Sequence, residues 1–311
     1  MNDAPSYMNL LPGKTTATIG RLEFLARGVV EGFVSGKHRS PNKGFSVEFA
    51  EHRQYVPGDD LRNLDWRVLA RKDRYYIKQY MEETNLRATI LLDASGSMNY
   101  AGEVAAQMDG KPVSKFEYAQ YIAAALTYLL VGQADAVGLV TLDTKQRCYL
   151  PAKARASQVR MVLEQLEKTK PGGDTELAPI FDDIAERIHR RGLVVIISDL
   201  FDDVDALMKA MHHFKFRRHE VILFHIMANE EIAFPFNSFT RFKDLEGSHQ
   251  VLALDPRTIR ASYIETVNEF LTKLEAGCGR VGIEYVPMNT RTPFDRALAE
   301  YLMRRRTGGR K

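Results

Sequence analysis

The sequence is poor in the residues that build covalent or metal-clipped scaffolds. Its two cysteines, Cys148 and Cys278, lie far apart and in no CxxC spacing. That excludes a disulfide framework and a zinc–thiolate site, and it fits a reducing compartment. Long hydrophobic runs are missing too. The longest, Tyr121–Val131, falls well short of the roughly 20 residues that cross a bilayer. Met1–Gly13 shows no basic start followed by an apolar stretch, so no secretory signal is expected. The expected location is cytoplasmic, with no membrane contact. There is no internal repeat and no low-complexity segment apart from an Arg-rich end. A basic face is also lacking. Lys plus Arg total 43 against 40 for Asp plus Glu, but five of the cations fall within Arg304–Lys311. Without that stretch the acids are in excess by two, so the raised pI gives no case for nucleic acid.

What is present is the balance of a globular chain, 45% hydrophobic and 27% charged, enough to bury a sizeable core. The pattern suggests a 1–19 N-terminal stretch that is flexible and a 20–86 region made of a helix plus a small β-rich module. A larger domain follows over 87–303, then a 304–311 basic tail. Leu22, Leu25, Val29, Val30 and Phe33 recur at a helical period. Residues 45–80 read as short strands around the turn Pro57-Gly58-Asp59-Asp60. From Ala88 the texture changes. Ala88–Ala94 is a continuous apolar run of the kind found in strands buried on both faces. Helices are expected at 115–131, 157–168, 177–190, 204–216, 257–276 and 293–305. Strands are expected at 137–143, near Cys148–Leu150, and at 193–198, 220–226 and 281–286. Residues 229–254 read as an irregular, partly stranded excursion. Strands alternating with helices predict an α/β fold: a three-layer, doubly wound, mostly parallel sheet.

In such a sheet, ligands bind beyond the carboxyl ends of the strands. Those ends carry hard oxygen donors. The run at 88–94 leads into Asp93-Ala94-Ser95-Gly96-Ser97, where alternation puts Asp93, Ser95 and Ser97 on one side and Gly96 is expected to permit a tight turn. A loop with Gly172-Gly173-Asp174-Thr175 precedes the helix at 177, and the strand at 193–198 ends at Asp199. Two carboxylates and three hydroxyls suit Mg²⁺ or Mn²⁺. Neutral hydroxyls only partly offset a dication, which would stay ready to accept a carboxylate from outside.

DxSxS, then Thr175, then Asp199 resembles the metal-ion-dependent adhesion site of von Willebrand factor A domains, in order and on matching elements. The resemblance implies a von Willebrand A-like domain in which the serines and threonine bind the metal directly. The aspartates would act through water, and a partner's Glu or Asp would complete the set. A second resemblance covers nearly the whole chain. Tyr55–Arg62, Leu64-Asp65-Trp66, Ala70-Arg71, Tyr80 and Glu82, with Phe234-Pro235-Phe236 and Phe242-Lys243-Asp244, are similar to the hallmarks of domain-of-unknown-function family 58. These are bacterial proteins typically encoded beside MoxR-type AAA+ ATPases. That likeness implies a non-enzymatic adaptor, binding a MoxR-type AAA+ ATPase in chaperone-like remodelling or cofactor maturation.

Each feature has a plainer reading. Ser and Asp after a strand often cap the next helix, which explains single positions but not five in order. Asp199, Asp202 and Asp203 suggest a haloacid-dehalogenase-type, metal-dependent phosphohydrolase as the alternative. That chemistry needs an acid two residues after the nucleophile, and position 95 is serine. Asp202 and Asp203 then read as solvated acids favoured by a helix dipole. Gly13-Lys14-Thr15 lacks the first glycine and the strand of a phosphate loop, and no GxSxG elbow surrounds Ser95. Between Arg62 and Tyr80, cations alternate with Trp66, Tyr75, Tyr76 and Tyr80. Interrupting acids favour packed aromatics with solvated cations over a nucleic-acid surface. His212, His213 and His219 lack metal spacing and read as surface residues.

Overall fold

A computed structural model describes residues 48–56, 64–72, 75–81, 86–108, 110–174, 176–246 and 250–308. Two compact units form, one within Val34–Asn85 and one that includes the described residues from Leu86 onward. The expected helix at 20–34 and the turn at 57–60 lie outside the described residues, as does Thr175.

In the smaller unit, β1 (Glu48–Gln54) pairs antiparallel with β2 (Tyr76–Met81), with one irregularity between Phe49 and Glu51. Between them lies a helix where strands were expected, α1 (Trp66–Lys72). Asp65 explains it: its carboxylate accepts from Val68 N at 3.2 Å, satisfying a donor that the first turn leaves open. The helix also changes which residues are covered. Trp66 and Tyr75, expected to pack, are 65% and 55% exposed, whereas Leu64 and Ile77 are buried.

The larger unit is an α/β sandwich around a six-stranded sheet ordered β12-β9-β8-β3-β6-β7. Its strands are β3 (Arg87–Asp93), β6 (Ala136–Leu142), β7 (Gln146–Lys153), β8 (Leu193–Ser198), β9 (Glu220–Met227) and β12 (Glu284–Asn289). β4 (Gln107–Met108) and β5 (Lys111–Pro112) form a separate small hairpin. All sheet neighbours run parallel except β6 and β7. β6 and β8 are buried at every position, while β7 alternates half-buried and exposed residues as an edge strand does. On one face pack α2 (Lys115–Gly132), α3 (Ala156–Lys168) and α8 (Phe294–Gly308), through Phe116, Ile122, Leu163 and Leu298. The other carries α4 (Leu177–Arg187), α5 (Val204–Phe216) and α7 (Pro256–Val281), through Phe181, Phe214 and Leu274. The mostly parallel, helix-flanked sheet thus agrees with expectation.

Boundaries differ where caps decide them. α7 runs to Val281 because Gly282 takes a left-handed conformation (φ 75°) that stops it, and β12 therefore begins at Glu284 rather than at 281. The excursion at 229–254 contains a short helix, α6 (Asn229–Ala233), and a hairpin of β10 (Thr240–Lys243) with β11 (Val251–Leu254). Phe234, Phe236, Phe242 and Tyr263 pack as an aromatic cluster at its base, with centroids 4.3 to 5.7 Å apart. No described helix is long and apolar enough to cross a membrane.

Candidate functional site

β3 and β8 are adjacent and parallel, so their carboxyl ends deliver Asp93 and Ser198-Asp199 to the same edge of the sheet. Local hydrogen bonds fix the first loop. Asp93 Oδ1 accepts from Ser95 N at 2.9 Å, and Oδ2 accepts from Ser198 Oγ at 2.5 Å, which ties the two strand ends together. The Ser95 and Ser97 hydroxyls lie 3.1 Å apart. Asp93, Ser95 and Asp199 are buried.

The third loop is anchored on both sides of Thr175. Gly172 N donates to Ala94 O, and Gly96 N donates to Gly173 O, each at 2.9 Å. Further on, Leu177 N donates to Asp202 Oδ2 at 2.9 Å. Asp202 is thus no idle solvated acid, because it binds the start of α4 to the loop after β8. Asp203 caps α5 by accepting from Ala206 N at 2.7 Å.

Gly96 is needed for a reason other than the one expected. Its φ of −62° suits any residue. A Cβ there, however, would stand 2.2 Å from the carbonyl oxygen of Leu245. The excursion therefore rests directly on the serine loop. Between them lies a cavity of about 290 Å³ lined by Ser97, Tyr100, Phe201, Glu231 and the segment Lys243–Glu246.

The sequence did not reveal three groups beside these acids. Lys115, wholly buried at the start of α2, reaches Asp199 Oδ2 at 2.7 Å and Glu231 Oε1 at 2.5 Å. Its ammonium also sits 4.7 Å from the centre of the Phe201 ring. Burial opposes that charge, but Asp199 and Glu231 outweigh it and hold the lysine pKa above its usual value. A signal was available. Ser114 and Glu117 form a capping box, and a lysine in the first turn behind it opposes the helix dipole. Such a lysine answers nearby acids. Glu231 also accepts from Ala228 N at 2.7 Å. His225, on β9, donates from Nε2 to the Asp199 carbonyl and accepts from the Tyr285 hydroxyl at Nδ1, both at 2.8 Å. Burial pushes its pKa down to about 4, so the ring is neutral.

Among the described residues, Asp93 has no cation of its own. Burial first, then the charge of Asp199, push its pKa up to about 7, against hydrogen bonds that favour the anion. Of the three histidines read as surface groups, His212 and His213 are exposed. His219 is buried, bridging Gly192 N and Ile188 O at 3.2 Å each. Among the described residues, no group of three or more His, Cys, Asp or Glu side chains could hold a metal. The donors at the strand ends are of another kind, carboxylates mixed with hydroxyls.

These features define an α/β protein with an acid-and-hydroxyl cradle at the ends of adjacent parallel strands. The chain belongs to the family described as Protein of unknown function DUF58, whose model matches residues 51–270. Uncharacterized proteins of Mycobacterium tuberculosis and Mycobacterium bovis are 26% identical over 249 residues, covering 78% of this chain and 75% of theirs. Among solved structures, similarity extends to the conserved hypothetical protein BatB from Bacteroides thetaiotaomicron. Its TM-score is 0.44 at 14% identity, covering 70% of this chain and 98% of that one. An aerotolerance-related membrane protein from Bacteroides fragilis gives the same score and identity, covering 70% and 97%.

Proposed function

We propose that the chain is a protein-binding adaptor, not an enzyme, whose von Willebrand A-like domain holds one Mg²⁺ or Mn²⁺. The metal presents an open position to a partner's Glu or Asp. One observation carries this reading: Asp93, Ser95 and Ser97 from one turn and Asp199 from another come onto one sheet edge, with two hydroxyls 3.1 Å apart beside a buried carboxylate that no cation among the described residues answers. The donor set fits a small hard cation, since hydroxyl pairs at that spacing match the edge of an octahedron with ~2.1 Å bonds. Ser95 and Ser97 would bind it directly, Asp93 and Asp199 would hold its shell, and the metal would supply electrophilic attraction for a carboxylate. The anchored chain on either side of Thr175 supports that residue as a further donor. The partner is a MoxR-type AAA+ ATPase, by the family resemblance, and the setting is cytoplasmic.

Affinity capture against a purified AAA+ ATPase of this type, with and without Mg²⁺, tests the reading. Wild type should retain the ATPase in Mg²⁺ and release it in EDTA. Ser95→Ala with Ser97→Ala should lose at least tenfold in retention while keeping the thermal transition of the metal-free protein. Equal capture by the double variant in EDTA and by wild type in Mg²⁺ would overturn it.

A further inference from the structure

We propose that Lys115 is a built-in counter-cation that divides the acidic centre, holding Asp199 and Glu231 while leaving Asp93 as the carboxylate open to a dication. The inference rests on the metal-binding reading and specifies how this chain tunes that site. Burying an ammonium is costly, and an uncharged side chain of similar length would fill the space without that cost. The helix dipole adds a further penalty at the start of α2. Lys115 nevertheless sits there with no exposure, within hydrogen-bonding distance of two carboxylates from two other elements. Asp93, at the end of the neighbouring strand, receives hydrogen bonds from a backbone amide and a hydroxyl, and no cation among the described residues reaches it.

The division has two consequences. Three carboxylates share the edge with one ammonium, so once Asp93 ionises the metal-free centre carries excess negative charge without being a fully anionic cage. A dication would nearly neutralise it and remain attractive to an incoming carboxylate. Glu231 also lines the cavity beside Ser97, so Lys115 links the strand-end acids to the wall an incoming group would meet. Lys115 is a positioning residue, acting through the acids it holds.

Charge arithmetic gives a test that a purely structural lysine would fail. Mg²⁺ and Mn²⁺ binding is measured by titration calorimetry on the intact chain for wild type, Lys115→Met, Glu231→Gln, the Lys115→Met/Glu231→Gln pair, and Asp93→Asn. Removing the ammonium should tighten divalent binding at least tenfold, because a like charge beside the dication is gone. Glu231→Gln should weaken binding at least threefold, and the pair, which restores the wild-type net charge, should fall within threefold of wild type. A folded Lys115→Met that binds metal no more tightly than wild type would sink the inference. If Lys115→Met does not fold, an unchanged affinity in Glu231→Gln does the same. Should wild type bind neither metal, the metal reading itself fails. Wild-type binding that vanishes in Asp93→Asn but ignores the other charges upholds that reading and removes Lys115 from it.

Discussion

Asp93 and Asp199 end neighbouring parallel strands, and both are buried, yet the protein treats them in opposite ways. Asp199 is answered by Lys115 at 2.7 Å, and its backbone carbonyl by His225. Asp93 is answered, among the described residues, by the Ser95 amide and by the Ser198 and Ser95 hydroxyls rather than by a cation, and its carboxyl holds its proton up to about pH 7. Asp93 closes β3 level with Ser198, and Asp199 lies one residue beyond β8; one carboxylate thus becomes a structural ion pair while the other is held back from ionising. The lesson is that strand position alone does not assign a role. What matters is which side chain from another layer reaches each strand end.

The most forceful way to break this comparison is to neutralise each acid in turn, in the absence of divalent ions. Asp199→Asn strands a buried ammonium with only Glu231, and should cost about 3 kcal/mol in chemical denaturation. Asp93→Asn should instead stabilise the metal-free protein at pH 8, because it removes a buried charge that faces Asp199. Equal losses in both variants would erase the distinction.

A second test sharpens it through pH. The folded-state pKa of Asp93 is raised from its ordinary value to about 7. Its contribution to stability is therefore full below about pH 4 and is lost as pH rises through 7. Wild type should lose stability relative to Asp93→Asn across that window, by at most about 1.4 kcal/mol per pH unit. Subtracting the variant cancels His225, whose depressed pKa acts the other way, being stabilising above about 6.5 and lost toward 4. A flat difference between pH 4 and 8 would mean that Asp93 is ionised throughout.

The smallest effects separate two neighbouring acids on the loop after β8. Asp203→Ala should cost about 1 kcal/mol as a lost helix cap and leave Mg²⁺ affinity alone. Asp202→Ala should cost a similar amount, yet weaken Mg²⁺ binding severalfold by freeing Leu177 and the loop before it. Identical metal affinities in the two would show that the loop needs no anchor there.

Much of this was legible in the residues, and the limits have physical causes. Continuous apolar runs such as Thr89–Leu92 announce strands covered on both faces, and Asp93, Ser95 and Ser97 announce themselves by spacing. The helix at Trp66–Lys72 was hidden because its aromatics and β-branched neighbours suit a strand equally well, until Asp65 is recognised as its cap. Lys115, Glu231 and His225 escaped because each meets its partners on other elements, over gaps of 84, 116 and 60 residues. Periodicity reports which face of an element is apolar, not which polar tip will meet it from elsewhere.

The contact between Gly96 and Leu245 links sequence positions that no local pattern would join. A carbonyl oxygen occupies the place where any other residue would put its first side-chain carbon. The β10–β11 hairpin and the glycine at 96 are consequently expected to change only together. A homologue that shortens or lengthens that hairpin gains freedom at position 96, and one that keeps its register must keep the glycine.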